Sequence, residues 1–167
     1  MTAPAHPLTI GSHVPPFSLP DSSGQTHSLQ SFYGKKALAV LFLAANCRYV
    51  DAWHDRIVAI AGDYPNLATI GIAVTGDPSN LANQYPFPVL ADAGGSVARS
   101  FGASHTPEVF LFDEAHTLRY HGAVDSDPDE SAATAFYLRD ALDRLLNTGL
   151  DIYLPETAVV GCPIKLT

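Results

Sequence analysis

The sequence predicts an α/β domain, a mixed sheet with helices on both faces, and three observations carry that reading. Leu38 to Leu43 is an uninterrupted apolar run of the kind that forms a strand buried on both faces. Directly after it, Val50, Trp53, Ile57 and Ile60 recur at steps of three and four, with Asp51, His54, Asp55 and Arg56 expected on the opposite, polar face of a helix. Strand and helix patterns then alternate to residue 101, before two apolar runs flank a turn at Asp113-Glu114-Ala115-His116. Alternation implies right-handed parallel crossovers, and the hairpin adds antiparallel edges.

Taken in order, residues 1 to 16 are rich in proline and read as an extended arm. Phe17 to Leu19 and Gln25 to Leu29 flank the turn cluster Pro20-Asp21-Ser22-Ser23-Gly24 as a hairpin, and Ser31 to Lys36 is a loop. After the first buried strand and its helix, Gly62 is the expected helix stop and Ala68 to Val74 a second buried strand. Asp77-Pro78 marks a helix start with Leu81 to Gln84 as its body. Val89-Leu90 is a short strand, and Ser96 to Phe101 a short helix closed by Gly102. Glu108 to Phe112 and Leu118 to His121 form the later hairpin. Ser126 to Glu130 is expected to be acidic and exposed, and Asp127-Pro128 with Glu130 to cap a last helix that reaches about Asn147, with Gly149 as its stop. The chain is expected to form one domain over 1–167, with 150–167 as a C-terminal tail packed on it.

The bulk numbers narrow the partners. Nine Lys and Arg against seventeen Asp and Glu leave a formal charge of −8, which argues against nucleic acid as a partner. There is no basic run for an anionic membrane, and the longest apolar run, Ala37 to Ala45, is too short to cross a bilayer. Met1 to His6 lacks the pattern of a secretory leader, so a cytoplasmic location is the expectation. Two cysteines are too few for a disulfide scaffold.

Cys47 is the best candidate for chemistry. It falls where the buried strand has ended and the helix begins, and the first N–H groups of a helix favour negative charge. A thiol there loses its proton more readily, and the thiolate is the reactive form. Arg48 adds a positive charge beside it. The competing reading is a small buried hydrophobe with no chemical role.

The joints of the chain resemble the thioredoxin superfamily, and most closely its redoxin branch of alkyl hydroperoxide reductases and thiol-specific antioxidants. The matching residues are Pro16-Phe17-Ser18-Leu19-Pro20-Asp21 with Gly24, Ser28-Leu29, Gly34-Lys35-Lys36, the strand ending at Cys47, Thr106-Pro107 and Phe110-Leu111-Phe112-Asp113. Asn46-Cys47-Arg48-Tyr49-Val50 and the late Gly161-Cys162-Pro163-Ile164-Lys165 are similar to a subgroup with Asn-x-Cys-Pro-Tyr-Val and a terminal Gly-Cys-x-Ile-Lys. The resemblance implies a thioredoxin-like fold, a mixed sheet flanked by helices with an N-terminal hairpin and an extended tail. It implies Cys47 as nucleophile, exposed at the helix mouth, and Pro107 as the cis-proline whose loop faces it. Thr106, Pro107 and Asn46 become substrate-binding candidates, and Arg48 and His105 join Cys47 and Cys162 as catalytic candidates.

The departures from the family pattern shape the chemistry. Val50 stands where a dithiol motif has its second cysteine, so Cys47 has no local resolving thiol. Ala44 and Val40 stand where a peroxiredoxin has threonine and proline, and Pro107 falls where its later arginine is expected. Cys162 on the tail is the candidate resolver, which requires the two alpha carbons to approach to roughly 5.5–6 Å. The function expected is a thiol-dependent oxidoreductase acting on a disulfide or peroxide with a thiol reductant, without a cofactor or a metal, and with room for a homodimer. Two alternatives stand beside it. One is a copper or zinc carrier or sensor using Cys47, His105 and Cys162. The other is a redoxin scaffold that has lost its chemistry and serves as a binding module.

Overall fold

The computed structural model describes residues 7–74 and 78–166. Its strands and helices follow the apolar pattern closely. β1 (Ser18–Pro20) and β2 (Thr26–Ser28) pair antiparallel across a turn nucleated by Asp21, whose carboxylate accepts the N–H groups of Ser23 (2.8 Å) and Gln25 (3.1 Å). β3 (Ala37–Leu43) is buried at every position. It is followed by α1 (Arg48–Asp63), β4 (Leu67–Ala73), α2 (Ser79–Ala82), β5 (Val89–Ala91) and α3 (Ser96–Phe101). β6 (His105–Thr106), β7 (Glu108–Asp113), β8 (Leu118–Gly122), α4 (Tyr137–Leu142) and β9 (Cys162–Pro163) complete the chain.

The central sheet has the order β5-β4-β3-β7-β8. β3, β4 and β5 run parallel, while β7 and β8 are antiparallel to their neighbours. Alternation along β3 divides the core in two. Ala39, Leu41 and Leu43 face Trp53, Ile57 and Ile60 of α1 together with Leu138 and Leu142 of α4. Leu38, Val40 and Phe42 face α3 and the N-terminal hairpin, where Phe42, Phe101 and Phe110 meet edge to face at 5.3–5.7 Å. Gly71 lets this packing close: a Cβ there would lie 2.7 Å from Leu43 Cδ1.

Several local expectations are corrected. α1 runs past Gly62 to Asp63, because the helix is stopped by Pro65, which pushes Tyr64 into extended backbone. Arg56, expected on the polar face, is buried, as is Asp125, which directly precedes the acidic run 126–130. The two find each other: Arg56 Nη1 donates to both oxygens of Asp125 at 2.9 and 2.7 Å, and Trp53 Nε1 donates to Oδ1 at 2.7 Å. The last helix does not start at Asp127-Pro128. Asp129 caps only a short 3-10 turn, Glu130–Ala132, and α4 begins at Tyr137 before widening into a π-helical turn that ends at Gly149. Pro78 occupies the N-cap of α2, which ends at Ala82 rather than Gln84; the expected cap Asp77 and residues 1–6 of the arm lie outside the described residues.

The tail is a strap. Pro155 and Thr157 bond to the backbone of His121 on the outer edge of β8. Thr157 Oγ1 meets the Tyr120 hydroxyl at 2.7 Å and accepts from Ala123 N at 3.0 Å. Burial pushes the Tyr120 hydroxyl far above the usual phenol range, so it remains a protonated anchor. Beyond Gly161, β9 pairs antiparallel with β6, and Ile164 N donates to Ser104 O at 2.8 Å. No residue of 150–166 is buried.

Candidate functional site

Cys47 sits between the end of β3 and the start of α1. Asn46, just before it, takes the left-handed conformation (φ 61°), which asparagine tolerates better than most residues. That bend turns the chain out of the sheet and makes Cys47 the N-cap of α1, with its carbonyl accepting from Asp51 N at 3.0 Å. The sulfur therefore lies at the positive end of a 16-residue helix. It is not exposed as expected: Cys47 is 2% accessible, because the strap lies across it.

The strap is also bonded to it. Cys47 and Cys162 form a disulfide that spans 115 residues, with alpha carbons 6.2 Å apart. Beside the bond lies a cleft of about 450 Å³, lined by Ala44, Ala45 and Asn46 on one side, Gly94 and Gly95 on another, and the 162–166 strap.

β6 supplies the facing wall. The Thr106–Pro107 peptide bond is cis, and Pro107 is buried. Thr106 O lies 3.4 Å from the Cys47 sulfur and Thr106 Oγ1 lies 3.5 Å from it. The sulfur carries no proton in the disulfide, so the approach to the carbonyl is a contact here. In the reduced protein a thiol can donate to that carbonyl, whereas a thiolate accepts from the Thr106 hydroxyl.

His105 and Arg48 are not brought to the sulfur. Alternation along β6 sends Thr106 toward Cys47 and His105 the other way, where its Nδ1 is 2.8 Å from Ser104 Oγ. Arg48 is exposed; its guanidinium lies 4.8 Å from the Tyr49 ring centre and donates to the Tyr49 hydroxyl. It contributes a surface charge near the helix start and no contact with sulfur. Among the described residues no group of three His, Cys, Asp or Glu side chains could hold a metal ion. With His105 turned away, the triad needed for the carrier alternative does not assemble.

Sequence reading missed the residue that holds the platform. Glu108, fully buried just after Pro107, accepts through Oε1 from Ser104 N (2.8 Å) and His105 N (3.0 Å). Its Oε2 lies 2.6 Å from His121 Nε2, whose ring stacks on Phe110 at 4.4 Å. One carboxylate thus fixes the backbone of β6 from behind and ties it to the β8 residue on which the strap is rooted. A carboxylate directly before the apolar run Val109 to Phe112 was the available signal.

A cis-proline strand facing a cysteine at a helix N-terminus, on a sheet of this order, defines a thioredoxin-like fold. The profile of the AhpC/TSA family matches residues 10–121, and the chain belongs to that family. Among solved structures it is similar to a hypothetical protein from Sinorhizobium meliloti, at 31% identity over 97% of each chain with a TM-score of 0.84. It is also similar to an uncharacterized conserved protein from Geobacillus kaustophilus, at 25% identity over 95% of this chain and 93% of that one, TM-score 0.82. A thiol peroxidase from Chromobacterium violaceum shares the fold at 21% identity, covering 87% of this chain and 90% of its own, TM-score 0.64. No curated protein matches the chain. No helix among the described residues is long and apolar enough to cross a membrane.

Proposed function

We propose that the protein is a thiol–disulfide oxidoreductase in which Cys47 is the nucleophile and Cys162 the resolving thiol. The observation that carries this reading is the Cys47–Cys162 bond, formed at a helix N-terminus directly against the Thr106-Pro107 platform. In the reduced protein the Cys47 thiolate attacks one sulfur of a substrate disulfide. A new S–S bond forms, the old one breaks, and the leaving sulfur departs as a thiolate that takes a proton from water. The Cys162 thiolate then attacks the Cys47 sulfur, closes the intramolecular disulfide and releases the reduced substrate. An external dithiol or two monothiols restore the starting state, so two electrons pass from reductant to substrate in each cycle.

A disulfide fits the site better than a peroxide. Ala44 and Ala45 on the cleft wall offer no side-chain donor to a peroxide oxygen, and the donors of that cleft are Asn46, Thr106 and Lys165. The nearest hydroxyl, that of Thr106, belongs to a strand edge suited to holding backbone. The roles of Thr106 and Pro107 are therefore to seat the substrate chain, and that of Asn46 is to shape the turn that presents Cys47.

The test is reduction of a small disulfide by the reduced protein with a thiol donor present. Wild type turns over. Cys47→Ser loses turnover, and Cys162→Ser completes the first attack and stalls as a mixed disulfide on Cys47. Unchanged turnover by Cys47→Ser would overturn the reading.

A further inference from the structure

β9 lies antiparallel against β6, with Cys162 opposite Thr106 and Pro163 opposite His105, and Gly161 directly precedes it. At Gly161 the two backbones come so close that a Cβ would overlap the Thr106 carbonyl oxygen. It would lie 2.7 Å from the Thr106 carbonyl carbon and 3.2 Å from its nitrogen. All three obstructing atoms are backbone, and the residues before them are fastened by Glu108, so no rotamer change opens the space. No side chain of the strap is fully buried; main-chain bonds, the Thr157 anchor, the disulfide and the partly buried Ile152, Ile164 and Leu166 hold it. The seat that the strap occupies beside Cys47 is shaped for glycine one residue before the bonded cysteine.

We propose that the β6 edge of the reduced protein selects an extended polypeptide whose disulfide-bonded cysteine follows a glycine, the strap being the intramolecular occupant of the same seat. This rests on the thiol–disulfide reading above and narrows its substrate class from disulfides in general to polypeptide disulfides of the Gly-Cys kind. The Cys47 thiolate attacks the partner's cysteine sulfur, the partner's other sulfur leaves with the electron pair and takes a proton from water, and a mixed disulfide forms with the partner glycine against Thr106. A residue larger than glycine at that place forces its side chain into the Thr106 carbonyl and holds the sulfur off line.

The test uses the full-length Cys162→Ser protein, which stops at the mixed disulfide. Two peptides copy residues 157–166, one unaltered and one with alanine in place of the glycine. Each carries its cysteine as a mixed disulfide with thionitrobenzoate, whose release is followed by absorbance. The glycine peptide is expected to react about ten-fold faster, the lower end of what forcing a methyl group into filled space costs. Equal rates for the two peptides, with Cys47 reacting normally with the symmetrical disulfide of thionitrobenzoate, overturn the glycine selection and leave the oxidoreductase reading standing. A Cys47 inert to that small disulfide overturns both.

A second arm needs no peptide. Gly161→Ala in the otherwise unaltered chain should lower the equilibrium constant for closing the Cys47–Cys162 bond in a glutathione buffer by about ten-fold, for the same steric reason. Its reduced form should melt as wild type does. An unchanged equilibrium constant overturns the proposal.

Discussion

At the scale of the residue, two features beside the Cys47 sulfur favour a negative charge there once the disulfide is open: the N-terminus of α1 and the hydroxyl of Thr106. The Thr106 carbonyl at 3.4 Å opposes them, since it favours the protonated thiol. Thr106→Val removes the hydroxyl and keeps the carbonyl and the shape. The reduced variant should be alkylated more slowly than wild type at neutral pH, because its thiolate has lost a donor; an unchanged rate would contradict this. Asp125 illustrates a different use of a buried charge. It receives Arg56 and Trp53 and fastens the segment after β8 to α1. Asp125→Ala leaves the buried Arg56 guanidinium with the carbonyls of Ala52, Asp127 and Pro128 but no countercharge, and should lower stability by about 3 kcal/mol in denaturant unfolding.

His116 makes the protein's acid response readable at one residue. Burial, then the nearby His13, lowers its pKa below the ordinary histidine value. The unfolded chain therefore binds the proton more readily than the folded one. The stability contributed by neutral His116 is complete above the unfolded value near 6.5 and is lost as pH falls below it toward the depressed folded value. The carboxylates with lowered pKa, Asp21 and Asp129, work only below about 4, under the unfolded aspartate value. Between pH 7 and 5, His116→Asn should lose less stability than wild type, asparagine being accepted at its φ of 62°. A wild-type slope in the variant would contradict this.

At the scale of the element, the site is a joint between β6 and the strap. Glu108 holds two N–H groups of the β6 approach and meets His121, to whose backbone the strap is bonded. Glu108→Ala leaves both N–H groups without their acceptor, at about 1–3 kcal/mol each. Glu108→Gln retains an acceptor oxygen and should cost less, and hydrogen exchange at Ser104 and His105 should separate the two variants. The strap is local structure of low intrinsic stability, with no fully buried residue and only a few partly buried apolar side chains on the core. Opening its disulfide frees a 115-residue loop, worth about 4–5 kcal/mol in the chain-entropy picture. The reduced protein should melt lower by on the order of 10 °C.

At the scale of the molecule, the architecture was legible because its signals are local. The apolar run of β3, the helical spacing of Val50, Trp53, Ile57 and Ile60, and the glycine closing α3 at Gly102 each declare an element within a few residues. What was not legible depends on partners far away in sequence. Arg56 reads as a surface residue until Asp125 arrives 69 positions later, and Glu108 reads as a strand terminus until His121 and the Ser104 backbone surround it. The side of β6 that faces the sulfur depends on strand register, which the sequence alone left open, so His105 and Thr106 were both site candidates and Thr106 is the one in contact with Cys47. The burial of Cys47 follows from the strap, whose path no local pattern announces.

The order of the chemistry is set by which sulfur attacks and which one resolves. Mass spectrometry of the reduced protein, quenched with acid after a single turnover with a disulfide substrate, reads this directly. Wild type should carry a Cys47–Cys162 link, Cys162→Ser should carry substrate on Cys47, and Cys47→Ser should carry nothing. Substrate found on Cys162 in the Cys47→Ser protein, at the wild-type rate, would contradict it.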